Sequence, residues 1–364
     1  MAQIVRIESL KSDLGVTGTV EFPTSPLADG EVLARIERIA LTTNNMTYAV
    51  YGDSIGYWNL FPANQSGYGC IPAWGYAEIV ESRVSEIPLG TRVFGYFPIA
   101  THLAMKPTAV TSRSFVDGAS HRTGTPKVYN LYEFQPQGPD PRMDSLISLF
   151  RALFITSYTA EDYLAERLYF GAEQFVISSA SSKTAYGIAH CLSDVATPKI
   201  GLTSRRNKSF VEGLGCYDAT YEYEEMTDID PSKSTVYVDL SGDDMLHRRV
   251  HEHFRDRLAF DCLVGSTQST SFPERDRDLP GPDPVFFFAA LQLDSYKAAG
   301  ELPSFMQRYL RDERVFLERI ADPRHPWMML VEHSGLDDAP AVINDLHNGS
   351  TDPSVGHVFD LTIR

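Results

Sequence analysis

The chain is short of paired cysteine, of excess positive charge and of long apolar runs, and each shortage removes a class of protein. Its four cysteines, Cys70, Cys191, Cys216 and Cys262, are widely spaced and form no CxxC pair. Neither a zinc ribbon nor a disulfide framework is indicated. With 32 Lys and Arg against 48 Asp and Glu the formal net charge is −16, which leaves no broad basic footprint for a nucleic acid. No stretch reaches the ~18 consecutive apolar residues of a membrane span. The opening MAQIVRIESL alternates as a strand does and lacks the basic, apolar and small-residue regions of a signal peptide. The expectation is a cytoplasmic chain with reduced thiols and no nucleic-acid or membrane partner.

What is present is enough apolar residue for a large core. Of 364 residues 43% are hydrophobic, a length that accommodates two domains or one large one. The first hundred residues read as strands between turns: EVLARIERIAL (31–41) and GYAEIVESRV (75–84) alternate, and PLGTRVFGYF (88–97) puts a turn before a short apolar strand. Residues 111–142, rich in Ser, Gly, Pro, Thr and Gln, read as a long connection or insertion. From 143 the pattern changes. A helical stretch leads to the apolar strand EQFVISSA (173–180), then the helix KTAYGIAHCLSD (183–194) and the strand PKIGLTS (198–204). The helix NKSFVEGLG (207–215), the strands STVYVDLSG (234–242) and LAFDCLVGS (258–266), and the helix DMLHRRVHEHFRD (244–256) complete the series. Strands alternating with helices predict a parallel sheet covered on both faces, the doubly wound architecture of nucleotide-binding domains. The tail reads as a helix LPSFMQRYLRDERVFLERI, a segment PWMMLVEHSGL, a short helix and the strand GHVFDLTIR.

In their order, these segments resemble the medium-chain dehydrogenase/reductase superfamily, most closely its zinc-free quinone-reductase and enoyl-reductase branches. PLADGEVLARIERIALTTNNMTYAVYG is similar to the family's opening unit, and PLGTRVFGYF to its Gly-Asp-Arg-Val-Phe-Gly element with Thr91 in place of the aspartate. LGCYDATYEYEE and VGHVFDL resemble two later family segments. The resemblance implies an α/β protein with a doubly wound, parallel-sheet (Rossmann) cofactor domain inserted in a partly barrelled, mainly β catalytic domain. Residues 1–140 and 301–364 would form the catalytic domain and residues 141–300 the cofactor domain, with the cofactor in the cleft between them.

By the same resemblance the first two positions of a catalytic zinc hold Thr43 and Trp74, which do not ligate zinc usefully. His247 and His251 lie one helical turn apart, with His253 nearby. No HExxH pattern accompanies them, and their charged neighbours indicate a solvated helix face, so no metal site is expected.

The family's glycine-rich turn, laid on this sequence, falls on Ala180-Ser181-Ser182-Lys183-Thr184-Ala185. Every glycine is replaced, and Gly187 comes only later, inside the helix. Two readings stand side by side. Either the helix N-terminus, the hydroxyls of Ser181, Ser182 and Thr184 and the Lys183 cation keep a pyrophosphate site, or the serines only cap the helix and Lys183 is solvated. At the end of the second strand GLTSRRNKSF offers Ser204, Arg205, Arg206 and Lys208 where an NAD site carries an acid. Guanidinium forks suit a 2′-phosphate, so the expected cofactor is NADP(H). Ser241, Gly242, Gly265 and Ser266 fall at further strand ends on the cofactor's expected path.

For the reacting centre the resemblance points to TTNNMTYAVYG. Tyr48 and Tyr51 match positions that orient or protonate substrate in relatives, and Asn44 and Asn45 carry groups able to bond a carbonyl. The alternative is that the asparagines make a turn and the tyrosines pack in the core. Tyr57, Trp58, Phe61 and Tyr68 follow closely and predict an aromatic-lined pocket or lid for an apolar or aromatic small molecule, or else a face buried against a partner. DPVFFFAALQL (283–293) lies where the family pairs cofactor domains, which predicts a homodimer. The expected function is zinc-independent, NADPH-dependent reduction of a carbonyl or carbonyl-conjugated alkene. The alternatives are a non-redox activity on the same fold (hydrolytic, retro-aldol or isomerase) and a non-catalytic NADP(H) sensor, both favoured by the missing glycines.

Overall fold

A computed structural model of the chain describes residues 3–265 and 279–362. Two compact units form, Met1–Leu149 with Met329–Arg364, and Phe150–Met328. The first boundary falls inside the helix Pro141–Ala165.

The second unit is built on strands that need both faces covered. We label its elements β1 (Gln174–Ile177), α1 (Lys183–Cys191), β2 (Lys199–Thr203), α2 (Lys208–Leu214), β3 (Ala219–Glu222), β4 (Thr235–Asp239), α3 (Asp244–Phe254), β5 (Leu258–Leu263) and β6 (Val285–Phe286). Every residue of β1, β2 and β4 is buried, as central strands of a parallel sheet require. The six strands pair in parallel in the order β3-β2-β1-β4-β5-β6. Chain order therefore reverses between β1 and β4, the switch point where doubly wound sheets place a ligand beyond the strand carboxyl ends. The helices Pro141–Ala165 and Leu302–Ile320 pack through Phe154 and Phe316, stacked at 4.2 Å between ring centroids, and their carboxylate Glu313 binds Arg151 at 2.8 Å.

The first unit is mainly β. Strand Val32–Leu41 pairs along one edge with Pro72–Ser82, and along the other with His102–Met105 and then Val355–Asp360. Register shifts at Leu33/Ala34 and Ile36/Arg38 bend it to serve these partners. Arg38 locks the junction: its guanidinium binds Asp360 at 2.6 Å, Glu332 at 2.7 Å and the Ser145 hydroxyl at 2.8 Å. The fold class is the one expected, a doubly wound parallel sheet interrupting a β-rich unit.

One local expectation is corrected. Residues 111–142 are no loose connection. They supply strands Ser114–Asp117 and Leu131–Gln135 of the nine-stranded sheet, fastened by a buried Arg122–Asp117 ion pair at 3.0 Å. Polar turn residues mask the scattered Phe115, Tyr129 and Tyr132, which are buried. In 283–293 only Val285–Phe286 is a strand, and Ala289–Ala299 is helical, because AALQLD is good helix-forming sequence once the edge of the sheet has been passed.

Candidate functional site

The turn after β1 sits at the sheet's switch point, and its serines carry distinct tasks. The Ser178 hydroxyl donates to Asp239 Oδ1 at 2.8 Å and accepts the amides of Leu240 and Ser241 at 2.8 and 3.0 Å. It thereby ties the end of β1 to the end of β4. Ser179 adopts φ 47°, a left-handed conformation that glycine takes freely and serine takes at a cost of about 1 kcal/mol. Its hydroxyl lies 3.3 Å from that of Tyr223. Ser181 Oγ accepts from Asn207 Nδ2 at 3.0 Å, linking the turn to the loop after β2. Ser182 caps α1, its hydroxyl accepting the Ala185 amide at 3.3 Å. Lys183 and Thr184 are the first two residues of that helix and half-buried, among the positions whose amides a helix leaves without internal partners.

Close approach, the work of the family's glycines, is done by glycines elsewhere. A Cβ on Gly201 of β2 would lie 2.9 Å from the Ala180 Cβ, and one on Gly187 of α1 would lie 2.5 Å from Ser157 Oγ. Gly201 thus makes room for Ala180 of the turn, and Gly187 lets α1 approach the helix Pro141–Ala165.

The loop after β2 brings Ser204, Arg205 and Arg206 to the strand's carboxyl end, with both arginines exposed. Arg205 Nε donates to Glu222 Oε2 at the end of β3, 2.8 Å away, and Lys208 Nζ binds Glu225 at 2.8 Å. On the other side of the switch point Asp239 gathers the strand ends. Its Oδ1 accepts from the Ser241 amide at 2.9 Å and hydroxyl at 2.7 Å, and from the Gly242 amide at 3.3 Å. Its carbonyl accepts from Val264 and Gly265. Ser266 lies outside the described residues. Sequence reasoning missed Ser178, Asn207, Glu222 and Asp239. The signal for Asp239 was an acid closing the apolar strand TVYVD, since a buried carboxylate there must find several donors.

In the first unit, the segment expected to meet substrate is a short helix, Thr43–Val50. Asn45 is buried with both ends of its amide engaged: Oδ1 accepts the Thr42 amide at 2.7 Å and Nδ2 donates to the Pro72 carbonyl at 2.7 Å. Asn44 is half-buried beside Tyr48. Tyr48 is buried, its hydroxyl accepting from Trp74 Nε1 at 3.2 Å, and burial pushes its ionisation well above the usual tyrosine range. It packs against Tyr57 and Tyr96 at ring distances of 5.0 and 5.3 Å. Tyr57 in turn meets the Tyr129 hydroxyl at 2.7 Å. Tyr57, Trp58 and Phe61 are buried, and each ring finds apolar partners inside the unit. Tyr51, at the helix C-cap, and Tyr68 are half-buried. Thr43 is exposed and Trp74 lies stacked on Phe94.

The histidines overturn a second expectation. His247 and His251 are 2% and 1% exposed, not on a solvated face. They share the inward stripe of α3 with Leu246, Val250 and Phe254, and both Nε2 atoms reach Asp261 Oδ2 of β5, at 2.7 and 3.0 Å. His253 bonds the Ile229 carbonyl instead. All four cysteines are free, and burial pushes the Cys70 and Cys216 thiols up to about 12. No described helix is long and apolar enough to cross a membrane.

The profile of a family described as "Protein of unknown function (DUF2855)" matches residues 39–352. No curated protein matches the chain. Among solved structures, CurA from Vibrio vulnificus in complex with NADPH is similar at 14% identity, 99% coverage of both chains and a TM-score of 0.61. The yhdH oxidoreductase from Salmonella enterica in complex with NADP is similar at 13% identity, over 99% of this chain and 100% of that one, with a TM-score of 0.55. A mutant form of enoyl thioester reductase from Candida tropicalis is similar at 10% identity, over 99% and 100% of the two chains, with a TM-score of 0.56. At such identities the likeness establishes a fold, that of the medium-chain dehydrogenases and reductases.

Proposed function

The chain belongs to the DUF2855 family, and we propose that it is an NADP(H)-dependent oxidoreductase that reduces a carbonyl or carbonyl-conjugated alkene. The observation that carries this reading is the sheet order β3-β2-β1-β4-β5-β6, with the Ser178–Ser182 turn opening a capped helix at its switch point. Two of the similar structures hold NADPH or NADP.

The residues present fit a dinucleotide. Ser181, Ser182, Lys183 and Thr184 hold the pyrophosphate with amide, hydroxyl and ammonium donors. Ser204, Arg205 and Arg206 hold the 2′-phosphate, for which Arg205 exchanges its exposed pairing with Glu222. Ser241 and Gly265 flank the remainder, positioned through Asp239. When bound, the nicotinamide supplies the hydride. The protein's part is to bind and orient substrate and to hold a proton donor, without a catalytic zinc. The donor candidates are Tyr51, half-buried at the C-cap of the helix Thr43–Val50, and Tyr48, whose hydroxyl accepts from Trp74. A homodimer through β6 is consistent with the exposed Val285 and Phe286 at the sheet edge.

A second reading, a sensor that binds NADP(H) without turnover, is favoured by the Asn45 amide, whose two ends are both taken by the backbone. Anaerobic NADPH oxidation against a panel of quinones and enones separates the two. Consumption dependent on one substrate class supports the reductase. NADPH binding with no consumption across the panel leaves the sensor, and binding of neither NADPH nor NADH overturns both.

A further inference from the structure

The unit Phe150–Met328 contains a second polar centre, outside the turn residues, that the proposed reduction does not use. His247 and His251 project one helical turn apart from α3, and Asp261 comes from the middle of β5. All three are almost fully buried. One ring nitrogen of each histidine and a carboxylate oxygen lie within 4.8 Å of one another, and the imidazole rings are 4.3 Å apart.

The hydrogen bonding of His251 decides what belongs there. Its Nδ1 lies 2.8 Å from the Pro280 carbonyl, and a carbonyl only accepts, so Nδ1 carries the proton. In the neutral ring Nε2 is then a lone pair, and it points at an oxygen of Asp261. Two acceptors at 3.0 Å need a cation or a second proton between them. A histidine whose outer nitrogen donates to a backbone carbonyl, leaving its inner nitrogen free, is the arrangement that orients metal ligands. Asp261 Oδ1, moreover, is buried and finds no hydrogen-bond partner among the described residues. That oxygen offers a further donor to the same centre.

We propose that His247 Nε2, His251 Nε2 and the Asp261 carboxylate bind a divalent transition ion, zinc by preference. Two imidazoles with a carboxylate suit that ion, and bonds of ~2.0–2.2 Å to four donors place the donor atoms roughly 3.3 Å apart. The observed separations of 2.7 and 3.0 Å reach that by a small opening of the cluster. The ion ties α3 to β5 and is structural.

The test uses the full chain, tag-free and grown with added zinc. Elemental analysis is expected to find about one zinc per chain, falling below about a tenth in His247→Gln with His251→Gln. Growth on cobalt is expected to give the visible d–d absorption of a four-coordinate ion in the wild-type chain, a readout that stands even where the double variant does not fold. Wild-type protein with less than about a tenth of an equivalent of any transition metal would overturn the proposal, and the cluster would then be held by protons. Zinc retained in full by a folded double variant would overturn it equally.

Discussion

Arg205 donates from Nε to Glu222 Oε2 at 2.8 Å, so the cation proposed to read the cofactor already has a carboxylate partner. The arginine side chain is 83% exposed, and exposed pairs contribute only about 0–1 kcal/mol. A phosphate dianion can therefore displace Glu222. Glu222→Gln removes the competing charge and keeps an acceptor for the backbone. It is expected to tighten NADPH about 2–10-fold and leave NADH unchanged, measured by fluorescence titration. Equal tightening of both would detach Arg205 from the 2′-phosphate.

Asp239 is the hub of the switch point, one oxygen accepting from Ser178, Ser241 and Gly242. Asp239→Ala strands these buried donors and is expected to cost about 3 kcal/mol or more in urea unfolding. Asp239→Asn keeps an accepting oxygen and should cost less.

Much of this unit was legible in the sequence, because parallel central strands such as QFVI and TVYVD are short, mostly apolar runs with helices between them. The turn's position was legible for the same reason. Its workings were not, since Gly201 makes room for Ala180 from another strand, a relation that no local pattern shows. The burial of His247 and His251 was hidden by Arg248, Arg249 and Glu252, which dominate the local composition. The inward stripe of Leu246, Val250 and Phe254 was the signal that outweighs them. Residues 111–142 were misread because turn residues outnumber the few buried aromatics that fix their strands.

The two tyrosines of the Thr43–Val50 segment are expected to behave differently. Tyr51→Phe should lower kcat about a hundredfold or more if Tyr51 supplies the proton. Tyr48→Phe leaves Trp74 Nε1 without its acceptor, and should cost about 1 kcal/mol of stability with less than a tenfold loss of kcat. Steady-state kinetics and thermal melts on both variants check this. The reverse pattern would assign the chemistry to Tyr48.

Stability should also depend on pH through Glu161. Burial pushes its carboxyl up to about 7, the neighbouring Asp162 charge adds to this, and the hydrogen bond from Tyr169 opposes it. The folded chain thus holds this proton more tightly than the unfolded one. The contribution is full below about 4.5 and is lost as pH rises through about 7. Glu161→Gln is expected to stabilise the protein at pH 8 by roughly 1–3 kcal/mol and to have little effect at pH 4. A gain independent of pH would contradict the assignment.

The cofactor assignment is tested most directly by calorimetric titration of NADPH and NADH into the wild-type chain and into Arg205→Ala with Arg206→Ala. The account predicts that the wild type binds NADPH at least about tenfold more tightly than NADH, and that the double variant loses this preference while its NADH affinity stays within about twofold. Tighter NADH than NADPH, or no binding of either at millimolar concentration, would contradict it.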